Sequence, residues 1–439
     1  MIKFNRTLVY IPAVLFTLVA CHHSSLDSRA TIVPRPQPQH LVTPITPASP
    51  VVAEIPAAEP KKPQPKKLSD EEVNDRMVAR LDSLMNDPFL LRTQLGLYVY
   101  DLTKDQPLYE SGKTQSMRPA STMKVITAVT ALSQLGVNYQ YTTGLYLSGK
   151  VQKGTFTGNF FIKGGFDPLT GNETVNQFAS AIIQKGITRI HGDLVLDLSM
   201  KDDKEAGWGW CWDDKNPSLC PLLYKEKPNF GEALQQALLR RGVRITGIIR
   251  TGRVPSQAQM LSVHTTHIDK ALKPMMKMSV NQVAESLFYQ IAAQNGKPYV
   301  THHTASAYVK RFIQEQLHLV PEHYRIADGS GLSQYNYITP ELLVEALRYA
   351  YQHQDIYRHL LPALPVAGED GTLKNRMRYT SAHGKVAAKT GTLTSVCSLA
   401  GYTTAKNGHR LCFAIINQGQ MKGTEARNFQ DEVCYILTR

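Results

Sequence analysis

A serine and a lysine stand three residues apart in the segment RPASTMKV, at Ser121 and Lys124, where an apolar helical run begins. Residues i and i+3 of a helix share a face, so the hydroxyl and the amine would lie within contact distance. A serine hydroxyl is a poor nucleophile until a neighbouring base removes its proton. The pair is therefore a candidate nucleophile beside a candidate base.

Two further short motifs follow this pair along the chain. SVN, which contains Ser279 and Asn281, stands at the entrance of a predicted helix, and KTGT (residues 389–392) lies on a predicted strand. Ser-x-x-Lys alone is expected by chance in a chain of this length, and on its own it indicates no more than a helix surface. It occurs once here, and the ordered combination of three motifs is far more specific than any one of them.

In this order the motifs resemble the signatures of the serine penicillin-recognising acyltransferases, which include penicillin-binding proteins and serine β-lactamases. Within this group the chain is most similar to the D-alanyl-D-alanine carboxypeptidase/endopeptidase family, the class C low-molecular-mass penicillin-binding proteins. The resemblance covers roughly residues 70–439. It includes four family-like segments: GGFDPLT (164–170), WGWCWDD (208–214), DGSGLS (328–333) and LPVAGEDGTL (364–373).

The resemblance implies roles for the first two motifs. Ser121 would attack the carbonyl of the penultimate D-alanine of a peptidoglycan stem peptide and form an acyl-enzyme, as it would with β-lactam antibiotics. Lys124 would take the serine proton if burial and a second cation, Lys389, keep it neutral. Ser279 would relay the proton to the departing nitrogen, and Asn281 would orient Lys124 and bind the substrate amide. Val280 stands where the family commonly has aspartate, at a position without a role in the mechanism.

The resemblance implies that the third motif binds the end of the substrate. Lys389, Thr390 and Thr392 would face its terminal carboxylate, for which a cation and hydroxyls are suitable partners. Gly391 lacks a side chain, so the strand could lie close to the substrate backbone. The backbone N–H groups of Ser121 and Thr392 would form the oxyanion hole.

Two other functions remain open from the sequence. A serine β-lactamase would share the acylation residues, but no Glu-x-x-Leu-Asn segment for positioning a deacylating water is found. A non-catalytic peptidoglycan-binding lipoprotein could retain the fold, although the intact Ser121, Lys124 and Lys389 argue against it. The histidine pairs His264/His267 and His302/His303 lack the spacing of a metal site with a glutamate base. We therefore predict neither a metal nor another cofactor.

The first 67 residues differ in composition from the rest. Residues 1–21 combine early cations with an apolar stretch from Leu8 to Ala20, which is typical of a secretory signal peptide. Its end, LVAC, resembles the bacterial lipobox, so we predict lipidation at Cys21; His22 in the next position favours the outer over the inner membrane. The proline-rich segment 22–67 predicts a disordered tether that holds a periplasmic domain away from its lipid anchor.

Charge and cysteine content add two expectations. The net charge of +13 suggests an anionic partner surface or simply a basic protein, but no nucleic-acid-binding module is found, so nucleic acid is not a predicted partner. Export permits disulfides, and Cys211 with Cys220 is the most plausible pair by spacing. The pairing of Cys397, Cys412 and Cys434 stays open.

The remaining pattern predicts an α+β fold. Ser69 and Glu72 form a capping box before a helix, and short strands near both ends of the chain flank a helical middle. This order suits an antiparallel sheet flanked by terminal helices beside an all-helical subdomain, the penicillin-binding-protein/serine β-lactamase-like fold that the resemblance also implies. We expect residues 68–140 and 266–439 to form this catalytic domain and 141–265 an inserted α+β accessory domain.

Overall fold

The computed structural model describes residues 68–294 and 296–439. The predicted signal peptide, the lipidation site Cys21 and the proline-rich tether lie outside these residues. Within the described ranges, no helix has the length and apolar character needed to cross a membrane.

Strands from the two ends of the chain build one five-stranded antiparallel sheet. It comprises β1 (Gln94–Asp101), β2 (Gln106–Ser111), β10 (Ala387–Leu393), β11 (Val396–Thr404) and β12 (Arg410–Gln418), in the order β10-β11-β12-β1-β2. The chain end thus pairs with the chain start, because β12 lies beside β1 with Tyr98 opposite Ala414. The motif strand β10 is at the edge of the sheet, where it has a partner on one side only.

Alternation of side chains explains why this sheet is covered on both faces. Leu97, Val99 and Phe413 point to one face and pack with helices α1 (Asp70–Leu84) and α10 (Gly423–Thr438), whereas Tyr98 and Ala414 point to the other. The predicted capping box begins α1: Ser69 Oγ accepts from the Glu72 amide and the Glu72 carboxylate accepts from the Ser69 amide. The prediction of an antiparallel sheet flanked by terminal helices is confirmed.

The second face of the sheet is covered by a helical subdomain. Its helices are α2 (Met123–Leu135), α5 (Ile268–Lys277), α6 (Asn281–Ala293), α7 (His302–Glu315), α8 (Pro340–Gln352) and α9 (Gln354–Ala363). They share one continuous hydrophobic cluster with the sheet. Helix α2 is apolar on nearly every side, with Met123 to Leu132 all buried, so it is the central helix of this subdomain.

The segment between α2 and α5 forms a second, mixed sheet. Its strands are β3 (Gln140–Gln152), β4 (Thr155–Lys163), β5 (Arg189–His191), β6 (Leu194–Asp197), β7 (Arg244–Ile245), β8 (Ile249–Thr251) and β9 (Gln259–His267). β4 pairs in parallel with β5 and β6 and antiparallel with β3. Helices α3 (Asn172–Gln184) and α4 (Phe230–Leu239) pack on it around their own hydrophobic cluster. This separate core supports our proposal that 141–265 is an accessory domain.

The predicted disulfide between Cys211 and Cys220 is not present, and both residues carry free thiols. The two sulfurs contact different groups. Cys211 Sγ accepts a hydrogen bond from Gln334 Nε2 at 3.3 Å, while Cys220 Sγ donates to the carbonyl of Leu222 at 3.2 Å. Short sequence spacing permits a bridge but does not direct the two side chains toward each other. Cys397, Cys412 and Cys434 are buried free thiols.

Candidate active site

Ser121 precedes the central helix rather than lying within it. A short 3-10 turn, Ala120–Thr122, leads directly into α2, and Ala120 adopts a positive φ of 48°. This conformation is rare for a residue with a side chain and is concentrated at functional sites. It turns the chain so that Ser121 is half-buried at the start of α2, while Lys124 is fully buried in its first turn.

Three oxygen atoms surround the amine of Lys124. Its Nζ lies 3.0 Å from Ser121 Oγ, 2.7 Å from Asn281 Oδ1 and 2.7 Å from the carbonyl oxygen of Ser330. A neutral amine has two hydrogens and one lone pair, and two of these neighbours can only accept. The two hydrogens therefore fit Asn281 and Ser330, which leaves the lone pair for the hydroxyl hydrogen of Ser121.

The second lysine of the site contacts the second motif. Lys389 Nζ donates to Ser279 Oγ at 3.0 Å and to the carbonyl of Thr390 at 2.6 Å. Ser279 has a φ of 63° and is a second positive-φ position at the site, two residues before the start of α6. The structure thus brings Ser121, Lys124 and Asn281 into one hydrogen-bonded group and Ser279 with Lys389 into another.

The side chains of both lysines have no exposed surface. Burial lowers the pKa of Lys124 to about 8, while the negative charges of Asp328 and Glu285 act in the opposite direction. Burial also lowers the pKa of Lys389 well below its ordinary value, and the charge of Lys124 lowers it further. The sequence led us to expect that burial and Lys389 together lower the pKa of Lys124; burial is the largest cause at both lysines, and their mutual repulsion adds to the lowering at Lys389.

Gly391 allows the motif strand to lie against Ser121. A Cβ atom at this position would lie 2.1 Å from Ser398 Oγ, 2.8 Å from the carbonyl oxygen of Pro119 and 2.9 Å from the backbone nitrogen of Ser121. The absence of a side chain at Gly391 is therefore required for the close approach of β10 to the Ser121 turn. The neighbouring Thr392 side chain is exposed.

A loop at 364–373 supports the strand and the second motif. Asp370 accepts a hydrogen bond at 2.5 Å from the Nζ of Lys277, which lies two residues before Ser279. Thr372 Oγ1 accepts a hydrogen bond from Thr390 Oγ1 at 2.7 Å. This loop was identified in the sequence only as a family-like segment. Its contacts connect the chain around Ser279 with the chain around Thr390.

Sequence reasoning missed the contribution of the DGSGLS segment and its partners. Asp328 is buried and accepts five hydrogen bonds, from Trp210 Nε1, Ser330 Oγ, Asn336 Nδ2 and the amides of Gly331 and Ser333. Glu285 is also buried, and its carboxylate accepts from the amide of Ser330 at 2.8 Å and that of Gly329 at 3.3 Å. The spacing of Asn281 and Glu285, four residues on a predicted helix, was the available signal for a shared face.

The chain is similar to a known protein family and to two of its members over most of its length. The model of the D-Ala-D-Ala carboxypeptidase 3 (S13) family matches residues 77–221 and 224–439. D-alanyl-D-alanine carboxypeptidase DacB of Haemophilus influenzae is 27% identical over 416 residues, covering 75% of this chain and 86% of the relative. D-alanyl-D-alanine carboxypeptidase of Actinomadura sp. (strain R39) is 25% identical over 454 residues, covering 81% and 83%.

A solved structure shows the same fold. The crystal structure of penicillin binding protein 4 (dacB) from Haemophilus influenzae matches with a TM-score of 0.73 at 24% identity, over 81% of this chain and 98% of that chain. The same protein complexed with a β-lactam matches with a TM-score of 0.68 at 24% identity, over 82% of this chain and 99% of that chain. The penicillin-binding-protein/serine β-lactamase-like fold predicted from the sequence is confirmed.

Proposed function

Because the chain belongs to the D-Ala-D-Ala carboxypeptidase 3 (S13) family, we propose that it is a serine DD-peptidase that acts through an acyl-enzyme on Ser121. The substrate is the terminal or cross-linking D-Ala-D-X bond of peptidoglycan stem peptides. Carboxypeptidase and endopeptidase action involve the same bond type, since both substrates present D-Ala followed by an amide nitrogen. β-Lactam antibiotics would acylate the same serine and act as covalent inhibitors.

The observation that carries the proposal is the contact pattern of Lys124. When it is neutral, the buried amine gives its two hydrogens to the fixed acceptors Asn281 Oδ1 and Ser330 O and keeps its lone pair for the hydroxyl hydrogen of Ser121. A pKa of about 8 leaves a useful neutral fraction near pH 7 and a base strong enough to accept the serine proton. A solvated lysine on a helix surface would have neither property.

Acylation then proceeds in two steps. Ser121 Oγ attacks the carbonyl carbon while its proton passes to Lys124 Nζ, and the carbonyl oxygen becomes an oxyanion. The backbone N–H groups of Ser121 and Thr392 stabilise this oxyanion; loss of one such donor typically costs about 3 kcal/mol in the transition state. When the C–N bond breaks, Ser279 passes its proton to the departing nitrogen and takes up the proton that Lys124 received from Ser121. D-alanine, or the amine of the cross-linked stem peptide, then leaves and Lys124 is neutral again.

Hydrolysis of the acyl-enzyme completes the cycle. A water molecule attacks the ester carbonyl, Lys124 accepts its proton, and the bond to Ser121 Oγ breaks as the serine is reprotonated. The products are the shortened peptide and the free enzyme. The same steps on a β-lactam open its ring, but the leaving nitrogen stays attached to the acyl group.

Lys389 has a role in substrate recognition. Its pKa is low in the free enzyme because it is buried beside Lys124. The carboxylate of an incoming substrate supplies the opposite charge that favours the protonated form of Lys389. Thr392 adds a hydroxyl donor, and Thr390 adds a second when its hydroxyl turns from Thr372 to the substrate, so a substrate with a free terminal carboxylate is preferred.

The N-terminal segments agree with a periplasmic enzyme of the cell wall. We propose that residues 1–21 direct export, that Cys21 is lipidated and that 22–67 connects the outer-membrane anchor to the catalytic unit. The positive net charge of +13 would favour contact with anionic wall polymers. Binding to purified peptidoglycan should then weaken as salt is added.

Intact mass after incubation with penicillin tests the proposal. The wild-type protein should gain one penicillin adduct that Ser121→Ala does not acquire, and it should release D-alanine from a stem pentapeptide. A protein without adduct and without penicillin hydrolysis would be a binding protein rather than a peptidase. Rapid penicillin hydrolysis without a lasting adduct would identify a β-lactamase.

A further inference from the structure

A buried carboxylate lies beneath the catalytic lysine on the same helix as Asn281. Glu285 is one turn after Asn281 on α6, and only 1% of its surface is exposed. Burying a carboxylate is unfavourable unless donors surround it. An apolar side chain would fill this position at lower cost, so the carboxylate needs an explanation beyond packing.

The donors to Glu285 belong to the loop that holds Lys124. One oxygen of the carboxylate accepts from the Ser330 amide at 2.8 Å and the other from the Gly329 amide at 3.3 Å. The carbonyl oxygen of that same Ser330 accepts from Lys124 Nζ at 2.7 Å. A single residue therefore connects the carboxylate to the amine.

Helix α2 holds the loop from the opposite side. Thr127 Oγ1, one turn after Lys124, donates to the carbonyl oxygen of Gly329 at 2.6 Å. Gly331 packs so tightly on the turn before the nucleophile that a Cβ would lie 1.8 Å from the carbonyl oxygen of Ala120. Residues 329–331 are thus fixed between α6 and the segment that carries Ser121 and Lys124.

We propose that Glu285 is a positioning residue for the acylation reaction. By accepting hydrogen bonds from the amides of Gly329 and Ser330, it orients the carbonyl of Ser330 toward Lys124. When the amine is neutral, this carbonyl and Asn281 take its two hydrogens, so its lone pair is left for Ser121. The inference rests on the proposed function, because it assigns Glu285 a role in the proton transfer proposed there. Glu285 itself contacts neither the substrate nor the nucleophile.

The charge of Glu285 also affects the pKa of Lys124. The titratable and charged groups that face it are Lys124 on α2, Asp328 in the loop and Tyr289 on its own helix. Burial and the neighbouring Asp328 raise the pKa of Glu285 to about 8, while the loop hydrogen bonds oppose this change. Where it is ionised, Glu285 raises the pKa of Lys124 and so partly offsets the effect of burial.

Three variants of the full chain separate these effects. Glu285→Gln keeps the shape but loses the charge and one acceptor, and Glu285→Asp keeps the charge but shortens the reach by one methylene. Thr127→Val removes the hydroxyl that holds the loop from the opposite side, together with its weaker contact to the carbonyl of Met123. The readout is the second-order rate of acylation by a fluorescent penicillin, measured by stopped flow from about pH 6 to 10. Thermal unfolding of each variant is measured alongside.

The variants should differ in a defined way. Glu285→Gln should lower the plateau rate about tenfold and move the acidic limb of the profile to lower pH, because a charge that raises the Lys124 pKa is gone. Glu285→Asp and Thr127→Val should lower the plateau but leave the limb within a few tenths of a unit.

Wild-type rates and an unshifted limb in folded Glu285→Gln would overturn the inference, since Glu285 would then only stabilise the fold. If Glu285→Gln does not fold, Glu285→Asp decides: a wild-type plateau contradicts the positioning role and a lowered plateau with an unshifted limb supports it. Absence of acylation in the wild-type protein would instead contradict the proposed function.

Discussion

Replacement of Gly391 by alanine tests the contact between the motif strand and the proposed nucleophile, Ser121, most directly. The new Cβ would lie 2.8 Å from the carbonyl oxygen of Pro119 and 2.9 Å from the backbone nitrogen of Ser121. Real Cβ atoms do not approach backbone so closely, so either β10 or the Ser121 turn must move. Because β10 is an edge strand, we expect it to shift away from Ser121.

The expected loss of activity follows from the backbone amides that this shift would separate. The two proposed oxyanion donors, the amides of Ser121 and Thr392, would no longer converge on one point. Loss of one such donor typically lowers kcat by about 10²–10³-fold, and overpacking a close contact costs about 1–3 kcal/mol of stability. We therefore expect acylation of Gly391→Ala to fall by about 10²-fold or more, with a modest decrease in Tm.

The assay is the acylation rate with a fluorescent penicillin, beside two control variants. Gly171→Ala introduces the same methyl group where no atom outside its chain neighbours lies closer than 3.9 Å, so it should acylate normally. In Gly391→Ala/Ser398→Ala, the hydroxyl that a Cβ would meet at 2.1 Å is absent, but both backbone clashes remain. If this double variant regains full activity, the serine hydroxyl rather than the backbone is responsible; if Gly391→Ala alone acylates normally, the reasoning is wrong.

Two further predictions concern the base and the first helix. Acylation of the wild-type protein should increase about tenfold per pH unit below pH 8 and level off above it, because Lys124, whose pKa burial lowers to about 8, acts only when neutral; a flat profile from about pH 6 to 9 would exclude Lys124 as the base. Ser69→Ala should lower the free energy of unfolding by about 1 kcal/mol in urea denaturation by removing the capping box of α1. Its acylation rate should match wild type, and a kinetic defect would show that α1 influences the site.

Local patterns in the sequence predicted the elements that carry the site. The capping box of Ser69 and Glu72, the apolar run after Ser121 and the alternating residues of the last strands all depend on neighbours in the chain. Motif order added the identities of Ser121, Lys124, Ser279, Asn281 and Lys389. The structure brings these side chains into two hydrogen-bonded groups, but their catalytic roles stay a prediction until the variants are measured.

Contacts between distant segments could not be predicted from the sequence. Cys211 and Cys220 are not bonded to each other, and their sulfurs contact Gln334 and the carbonyl of Leu222 instead; spacing does not determine such contacts. Asp328 looked like part of a glycine-rich turn, and four of its five donors are local; only Trp210, 118 residues away, is distant in the chain. Glu285 looked like one polar residue on a helix, because its partners Gly329 and Ser330 lie 44 and 45 residues away. Their burial is a property of the assembled fold.

The sequence by itself therefore determined the chemistry that is available: a hydroxyl and an amine at helical spacing, followed by two further motifs in a fixed order. Tertiary structure decided how that chemistry is controlled. Complete burial lowers the pKa of Lys124, and two acceptors from α6 and the 328–333 loop fix the amine beside Ser121. Desolvation and orientation arise only when distant segments pack together, because both depend on which atoms replace water around the amine.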